Sequence, residues 1–410
     1  MALGTLNNRQ LVSIDSLDHG ARAAAEPERS PVLPNGEIAN PHSVPSVRRS
    51  SGLAHRAKTE PLDLARSPGG PVPNAYSTRR VPREEMRWLL DGDYQPRAGD
   101  LVLARIEALG HHTRLQLPNG RRRQLFEGDD VIVAYADRYA PQQFEAHVPA
   151  NLGRCHLVAG GGVASQVLSQ HQRIRRGATL IRPLGLIAAD RHGPQLNTRD
   201  FALPRIEPRR RDIPIVAVLG TAMDSGKTTT AAFFARGLSR YGMRVGYAKV
   251  TGTGASGDPT LVVDAGADPV LDFTDIGLVS TYRVGEREIE EVFLSLIAHL
   301  QQANVDVILL EVADGLFQQE TAALVGSPRF SDFTDAVLFA AGDAMGAAAG
   351  VTWLRERGHR LLGLAGTLEA APLQAREAEA ATGVPVFRRS ELGDPHTAAR
   401  VFAQIRPSRR

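Results

Sequence analysis

The sequence predicts an α/β fold: a C-terminal, doubly wound domain with a mostly parallel sheet, preceded by a smaller β-rich domain and a disordered N-terminal arm. Beyond residue 212, apolar strands alternate with helical segments. Residues 97–150 contain short strands separated by turns. Residues 1–82 hold ten of the 26 prolines and show no helical or strand periodicity. The expected domains are therefore 1–82, 83–207 and 208–410.

Composition excludes several classes of protein. The chain has 410 residues, 42% of them hydrophobic, which is enough for a full core. Its net charge of +3 argues against a dedicated nucleic-acid binder. No apolar run approaches the roughly 20 residues of a membrane span, and a secretory signal pattern is missing. The single cysteine, Cys155, excludes an internal disulfide framework and predicts a cytoplasmic protein in which Cys155 is a small buried hydrophobe.

The β-rich domain is predicted as a small barrel or sandwich. Asn119-Gly120 favours a hairpin turn, because both residues tolerate positive φ angles. The arginines at 121–123 beside this turn are expected on a solvated face. Two helices are also expected, at 83–90 and 163–172. The predicted strands are 100–106, 113–117, 121–126, 130–135, 179–181 and 184–187.

The C-terminal domain shows the two periodicities of a doubly wound sheet. Residues 286–303 carry apolar side chains at helical spacing, whereas residues 213–219 form a nearly continuous apolar strand, as in a buried parallel sheet. The predicted strands are 213–219, 244–250, 305–310, 336–340, 361–365 and 384–387. The predicted helices are 228–241, 286–303, 344–357 and 370–382.

Lysine is rare in this chain, and its positions are informative. Of the 48 basic residues, three are lysine: Lys58, Lys227 and Lys249. A compact ammonium differs from a planar guanidinium in reach and geometry, so a retained lysine indicates a site that arginine cannot serve. Lys227 and Lys249 lie 22 residues apart in the most motif-rich stretch, and we therefore expect both to be functional.

A glycine-rich loop follows the first strand of the C-terminal domain and closes on Gly-Lys-Thr before a helix. This order is typical of a P-loop, although five residues instead of four separate its two glycines. Backbone N–H groups and the helix N-terminus favour phosphate there. Lys227 is expected to contact the β- and γ-phosphates, and Thr228 to bind Mg²⁺. The predicted phosphate-binding residues are Gly220, Thr221, Asp224, Ser225, Gly226, Lys227, Thr228 and Thr229.

Two further strands are expected to bring polar groups to the same edge of the sheet. The strand at 305–310 is followed by Glu311, the predicted metal-binding or water-positioning acid, with Asp314 as the alternative. Lys249 ends the second strand and could hold a substrate carboxylate or a phosphoryl group in transfer. Asp258 and Asp264, in and beyond the polar loop after Lys249, could complete the metal shell.

The C-terminal half resembles dethiobiotin synthetase and its amide-forming relatives, including cobyrinic acid diamide synthases. The resemblance lies in the five-residue loop spacing, in Gly246-Tyr247-Ala248-Lys249, and in Glu311 followed by Gly315-Leu316-Phe317. It implies ATP and Mg²⁺ as cofactors and transfer of the γ-phosphate to a carboxylate or carbamate. It also implies that Lys227, Lys249 and Glu311 are catalytic. No resemblance covers residues 97–207.

The leading interpretation is an ATP-dependent synthetase or ligase that activates a small-molecule carboxylate for amide or ring formation. Residues 208–410 contain no cysteine, so ammonia or an amine would come from solution or from a partner. Two alternatives stay open: a small-molecule kinase with Asp258 or Asp314 as base, and a regulatory protein whose conformation is set by nucleotide. We expect no nucleic-acid or membrane partner, and leave a homodimer open.

Overall fold

The computed structural model describes residues 58–65, 70–209 and 213–405. These residues form a mostly antiparallel nine-stranded sheet, a two-stranded hairpin and a six-stranded parallel sheet with helices on both faces. The fold class is therefore the expected one, an α/β domain preceded by a β-rich domain. Residues 1–57 and 66–69 of the predicted arm lie outside the described residues. Within the described ranges, no helix is both long and apolar enough to cross a membrane.

The β-rich domain is a small closed barrel with extra strands. Five strands form a ring in the order β11, β3, β6, β10 and β9, and β9 returns to β11. The pairing is antiparallel except between β6 and β10. The strands are β1 (Lys58–Pro61), β2 (Trp88–Asp91), β3 (Leu101–Ala108), β4 (Arg114–Gln116), β5 (Arg122–Gln124), β6 (Asp130–Tyr135), β7 (Arg138–Tyr139), β8 (Phe144–His147), β9 (Cys155–Ala159), β10 (Val163–Gln170) and β11 (Thr179–Ala188).

Both faces of the central barrel strands are buried. Val102 and Val131 point into the barrel core, and the alternate residues Leu101 and Ile132 pack outside it. Cys155 is fully buried in the barrel core, and burial raises the pKa of its thiol to about 12. Cys155 is therefore the buried hydrophobe that the sequence predicts.

The C-terminal domain is built on a parallel sheet with the strand order β14-β13-β15-β12-β16-β17. The chain leaves the central strand β12 toward both edges, and α1 and α9 cover one face while α3 and α6 cover the other. The strands are β12 (Ile215–Gly220), β13 (Val245–Lys249), β14 (Val270–Asp272), β15 (Val307–Glu311), β16 (Ala336–Ala340) and β17 (Leu361–Ala365). The helices are α1 (Lys227–Arg240), α2 (Gly257–Asp264), α3 (Glu286–Gln302), α4 (Gln319–Gly326), α5 (Pro328–Phe333), α6 (Ala344–Glu356), α7 (Pro372–Thr382), α8 (Arg389–Leu392) and α9 (Pro395–Phe402).

The barrel is fixed onto the carboxyl edge of the parallel sheet by a buried polar cluster. The Tyr76 hydroxyl donates to Asp272 Oδ2 at 2.7 Å. Arg79 Nη2 lies 3.2 Å from Asp272 Oδ1 and 2.8 Å from Asp275 Oδ1. Both carboxylates are buried, so the loss of Arg79 would leave Asp272 without an ion pair and Asp275 with Arg80, whose Nη1 lies 3.4 Å from Asp275 Oδ1. A second contact is backbone against backbone, because a Cβ on Gly161 would lie only 1.8 Å from the carbonyl oxygen of Gly254.

The predicted boundary at residue 82 is wrong, because part of the expected arm belongs to the barrel. Residues 58–61 form strand β1, which pairs with β2. Val72 and Val81 are buried against the outer face of β3 and β6. These apolar residues lie nine positions apart and carry no periodicity, so their burial is decided by the apolar outer face of the barrel.

Three predicted elements have a different conformation. The helix expected at 83–90 is a single 3₁₀ turn, Arg83–Glu85, followed by strand β2. The helix expected at 163–172 is strand β10, because this segment pairs with three other strands. The strand expected at 384–387 is reduced to an isolated bridge between Leu364 and Val386. Pro385 has no N–H for a ladder, which limits pairing there.

Candidate functional site

The loop Gly220–Thr229 joins the central strand β12 to the long helix α1, as predicted. Asp224 and Gly226 have positive φ angles of 64° and 97°. Left-handed residues in such a loop turn successive N–H groups toward a common concave side, which binds anions. At Gly226 a Cβ would also lie 2.9 Å from the backbone of Gly366, so glycine is required there. The loop has the geometry of a phosphate-binding loop despite its additional residue.

Two polar side chains of the loop are buried. Lys227 is buried and its ammonium donates to the loop's own carbonyl at Ala222, at 2.7 Å. Burial lowers the pKa of Lys227, and the neighbouring carboxylates Glu311 and Asp314 oppose that effect. The Ser225 hydroxyl is buried without a hydrogen-bond partner. Phosphate oxygens in the cavity would give the Lys227 ammonium a charged partner, whereas the Ser225 hydroxyl is on the far side of the loop.

Glu311 lies at the carboxyl end of β15, directly beside β12. It accepts hydrogen bonds from the Thr228 hydroxyl at 2.9 Å and from the Tyr247 hydroxyl at 2.8 Å. Burial raises the pKa of Glu311, although attraction by Lys249 works in the opposite direction. A threonine hydroxyl next to one carboxylate fits Mg²⁺, which takes few protein ligands together with phosphate oxygens and water. Among the described residues, no group of three or more His, Cys, Asp or Glu side chains forms a metal site by itself.

Lys249 lies at the carboxyl end of β13, on the other side of β15 from the loop. Its ammonium forms an ion pair with Asp258 and lies 3.8 Å from Glu311 Oε1. Burial disfavours the charge on Lys249, but Asp258 and Glu311 outweigh it and raise the pKa of Lys249. The ammonium therefore stays protonated and can act as an electrostatic group, not as a base.

Asp314 lies in the loop after β15 with a positive φ of 65°. Within the described ranges its carboxylate accepts no hydrogen bond. Burial raises the pKa of Asp314 to about 6, against the attraction of Lys227 and Lys249. This carboxylate is thus present in both protonation states near neutral pH.

These residues form one wall of a cavity of about 810 Å³ between the parallel sheet and the barrel. The sheet wall is formed by polar residues of the C-terminal domain, chiefly Lys227, Thr228, Lys249, Asp258, Glu311 and Asp314. The opposite barrel wall is formed by polar residues of the N-terminal domain, chiefly His112, Gln116, Arg122, Arg138 and Gln143. A cavity of this size accommodates a nucleotide's phosphates together with a small molecule.

Most of the predicted site residues meet at this cavity, and Asp264 does not. Asp258 is in the first turn of α2 and Asp264 is its last residue, exposed to solvent. Six residues along a helix advance about 9 Å and about 240° around its axis, so the two side chains cannot share a metal ion. Within the loop, Asp224, Gly226, Thr228 and Thr229 line the cavity alongside Lys227, whereas Gly220, Thr221 and Ser225 support the loop from behind.

A smaller cavity of about 110 Å³ lies next to Gly226 and the start of α1. It is lined by Thr229, Thr230, Thr367 and the ion-paired side chains Glu369 and Arg389. It adjoins the large cavity, because Gly226, Thr229 and Thr367 line both.

Sequence reasoning missed the barrel wall. Arg138 and His112 belong to no recognisable motif, and only the fold brings them opposite the phosphate-binding loop. Arg122 is exposed on the hairpin, as predicted, and also lines the cavity. Tyr247 was noticed in the sequence only as part of the family resemblance. A tyrosine inside a buried apolar strand needs a hydrogen-bond partner for its hydroxyl, so it could have indicated the nearby acceptor, Glu311.

No family model and no curated protein matches the chain. Among solved structures, it is similar to the 54 kDa signal recognition particle protein from Aeropyrum pernix in complex with GDP, at 20% identity, with 48% of each chain covered and a TM-score of 0.32. It is also similar to cell division protein FtsY from Thermotoga maritima, at 16% identity, covering 50% of this chain and 74% of that one, with a TM-score of 0.32.

A third similar structure is the signal recognition particle receptor FtsY from Elizabethkingia anophelis, at 16% identity, covering 47% of this chain and 56% of that one, with a TM-score of 0.27. The chain thus spans about half the length of the first two structures. The class follows from the chain's own features: the C-terminal domain has the strand order, and the glycine-rich loop between β12 and α1, of the P-loop NTPase fold.

Proposed function

We propose that the protein is a Mg²⁺- and ATP-dependent synthetase or ligase that phosphorylates the carboxylate of a small molecule. The observation that carries this proposal is the buried Lys249 ammonium, which faces the same cavity as Lys227 and the phosphate-binding loop. Two separate cations at one cavity suit two anions that must approach each other. The resemblance to dethiobiotin synthetase-like enzymes supports the same reaction.

The chain's residues divide the work of phosphoryl transfer. Lys227 and the loop N–H groups hold the β- and γ-phosphates, and Thr228 and Glu311 hold the Mg²⁺. The bound ion supplies charge neutralisation at the phosphates. Lys249, protonated throughout, holds the attacking carboxylate oxygen beside the γ-phosphorus and stabilises the negative charge shared between them.

The phosphoryl transfer balances without a base. A carboxylate oxygen forms the new bond to the γ-phosphorus as the bond to ADP breaks, which gives an acyl phosphate. An amine nitrogen then attacks the acyl carbon, phosphate leaves, and the proton that the nitrogen loses passes to the departing phosphate. The amine comes from solution or a partner, because Cys155 is buried in the barrel core and cannot serve as a glutaminase nucleophile.

A second candidate function is a kinase that acts on a hydroxyl, and Asp314 favours it. A hydroxyl must lose a proton on attack, whereas a carboxylate has none to lose. With a pKa of about 6 and no hydrogen-bond partner among the described residues, the Asp314 carboxylate is suited to accept that proton. The two functions differ in product, an acyl phosphate or a phosphate ester.

Hydroxylamine separates these products, because it converts an acyl phosphate into a stable hydroxamate and leaves a phosphate ester intact. The experiment incubates the protein with ATP, Mg²⁺, hydroxylamine and a panel of small carboxylic and hydroxy acids, and detects products by mass. We expect a hydroxamate that depends on ATP. A phosphate ester without hydroxamate would establish the kinase instead.

Calorimetry with ATP and GTP tests the nucleotide site itself. We expect Lys227→Ala to weaken Mg²⁺-dependent ATP binding by about 100-fold or more, since a buried charge-assisted contact to phosphate is lost. Lys58→Ala is the matched control, because Lys58 is exposed on β1. Undiminished ATP affinity in Lys227→Ala would contradict the assignment of the loop.

A further inference from the structure

Arg138, in the short strand β7, is buried on the barrel wall of the cavity and is 5% exposed. A guanidinium carries five N–H donors and a fixed positive charge. In the part of the chain that the structure describes, no carboxylate lies within ion-pair distance of it. A buried arginine without a counter-ion is unusual, because the charge is removed from water and nothing compensates for it.

The hydrogen bonds of Arg138 leave most of these donors unused. Nη2 donates to Gln143 Oε1 at 2.7 Å, and Nε is buried without any partner. Nη1 lies 3.1 Å from His112 Nε2. This histidine nitrogen also lies 2.8 Å from the carbonyl oxygen of Val158. If Nε2 donates its proton to that carbonyl, it cannot also accept from Arg138. Within the described residues, Nε therefore has no acceptor and Nη1 has no firm one, while Nη2 is held by Gln143.

The surrounding groups keep Arg138 charged and His112 neutral. Burial lowers the pKa of Arg138 to about 10, with Asp314 acting in the opposite direction, so the guanidinium is protonated at neutral pH. Burial, and then Arg138, lower the pKa of His112 to about 3. The nearby side chains His111, Tyr139 and Gln143 supply no negative charge, and Asp314 lies on the opposite wall. A negative charge for Arg138 must come from a ligand.

Arg138 and Lys249 face the cavity from different walls. Arg138 is on β7 of the barrel, and Lys249 ends β13 of the parallel sheet. Asp314 interacts electrostatically with Lys227, with Lys249 and with Arg138. Because the two cations belong to different walls, a ligand anion at Arg138 can be separate from the group that reacts at Lys249.

We propose that Arg138, supported by Gln143, binds a second, non-reacting carboxylate of the acceptor, so that the substrate is a small dicarboxylate. This rests on the proposed function, in which Lys249 holds the reacting carboxylate. The free N–H groups of Arg138 form a planar fork that matches the two oxygens of a carboxylate. The barrel thus selects the substrate, while the P-loop domain carries out the phosphoryl transfer.

The test is calorimetric titration of the full chain, with Mg²⁺ and a non-hydrolysable ATP analogue present. The probes are succinate, glutarate, butyrate and inorganic phosphate. We expect at least one dicarboxylate to bind tenfold or more tightly than butyrate. Arg138→Gln should abolish that preference, and Arg138→Lys should keep only part of it, because the fork is lost. Arg175→Gln, at an exposed arginine outside the cavity, is the matched control.

Several outcomes would overturn the proposal. The wild-type protein could bind neither succinate nor glutarate. Arg138→Gln could bind both dicarboxylates as tightly as the wild type. The wild-type protein could also bind inorganic phosphate more tightly than either dicarboxylate. An equal loss of affinity for the ATP analogue in Arg138→Gln would assign Arg138 to the nucleotide phosphates instead. Binding is read here without turnover, so a failed hydroxamate assay with intact dicarboxylate binding would reject the ligase reaction and leave the anion site standing.

Discussion

The two walls of the cavity handle charge in opposite ways. On the sheet wall, Lys249 is paired with Asp258 and lies close to Glu311, which also accepts two hydrogen bonds. On the barrel wall, Arg138 is as deeply buried, but among the described residues its one firm partner is the neutral amide of Gln143. The charge of Lys249 on the sheet wall is thus balanced by neighbouring carboxylates, whereas the charge of Arg138 on the barrel wall has no carboxylate within ion-pair distance among the described residues.

In the proposed reaction, this difference would separate catalysis from recognition. Groups that stabilise a transition state must be held in place before the substrate arrives, and a network of paired charges does this. A group that selects a substrate gains most when the ligand provides the missing partner. Under our proposals, the sheet wall would be preorganised for the reaction, and the barrel wall would be completed by the substrate.

The largest expected effect is a loss of stability when the contacts that join the barrel to the sheet are removed. A chain that starts at Arg83 loses Tyr76, Arg79 and Arg80, which leaves the buried Asp272 and Asp275 without a positively charged partner among the described residues. It also loses buried apolar side chains, and we expect it to fold poorly or to lose about 5 kcal/mol or more of unfolding free energy. A chain that starts at Lys58 should match the full chain. Denaturant unfolding measures both.

In the full chain, Arg79→Ala isolates the interface and should cost about 3 kcal/mol, since it leaves the buried Asp272 without an ion pair and Asp275 with Arg80 as its remaining arginine. Arg175→Ala, at an exposed arginine, should cost almost nothing. Full stability in the chain that starts at Arg83 would show that residues 58–82 are dispensable, as the sequence by itself suggests.

The next effect concerns the sheet wall. Lys249→Ala should lower turnover by about one to three orders of magnitude, the scale of losing one electrostatic stabiliser, while ATP affinity changes far less than in Lys227→Ala. Lys249→Arg should also be impaired, because the longer planar group does not fit between Asp258 and Glu311. ADP release with an acceptor from the hydroxamate screen measures turnover. Full activity in Lys249→Arg would remove the argument from the rarity of lysine.

The smallest expected effect is a pH-dependent change in the free energy of unfolding caused by Asp314, on the sheet wall. Its pKa is raised by burial from an ordinary 3.8 to about 6, so the folded state binds its proton more tightly than the unfolded state does. The stability from this group is present below about pH 4 and is lost as pH rises through about 6. Asp314→Asn, which stays neutral, should be more stable than wild type at pH 7.5 by roughly 1–3 kcal/mol and equal at pH 4.

Urea unfolding from pH 4 to pH 8 measures this difference. Asp264→Asn is the control, since Asp264 is exposed at the end of α2 and should show no such dependence. A gap between Asp314→Asn and wild type that stays constant across this pH range would show that Asp314 is not the titrating group.

The two domains also differ in how far their sequence predicts them. In the C-terminal domain, the strands 336–340 and 361–365 have the predicted bounds, and helix α3 is correct to one residue at the C-terminal end. Parallel strands buried on both faces give long apolar runs, and amphipathic helices give a clear period. The short strand β14 was missed because its three residues, with a polar one at the end, give neither signal.

The barrel was predicted only in outline. Strands β3 and β6 and the Asn119-Gly120 hairpin agree with the structure, whereas β10 was expected to be a helix. Short strands rely on pairing with distant segments, and local sequence does not record such pairing.

By itself, the sequence predicted the parallel-sheet domain and the glycine-rich loop. It also singled out Lys227, Thr228, Lys249 and Glu311, because each lies in a short motif at, or just after, the end of a buried apolar strand. The tertiary structure decided which acid pairs with Lys249. Helix α2 directs Asp258 toward Lys249 and leaves Asp264 exposed at the helix end, and the sequence alone does not distinguish the two. The tertiary structure also decided that Arg138 faces the loop from nearly 90 residues away in sequence. Contacts between distant segments depend on how the barrel and sheet pack, and this packing leaves no local pattern.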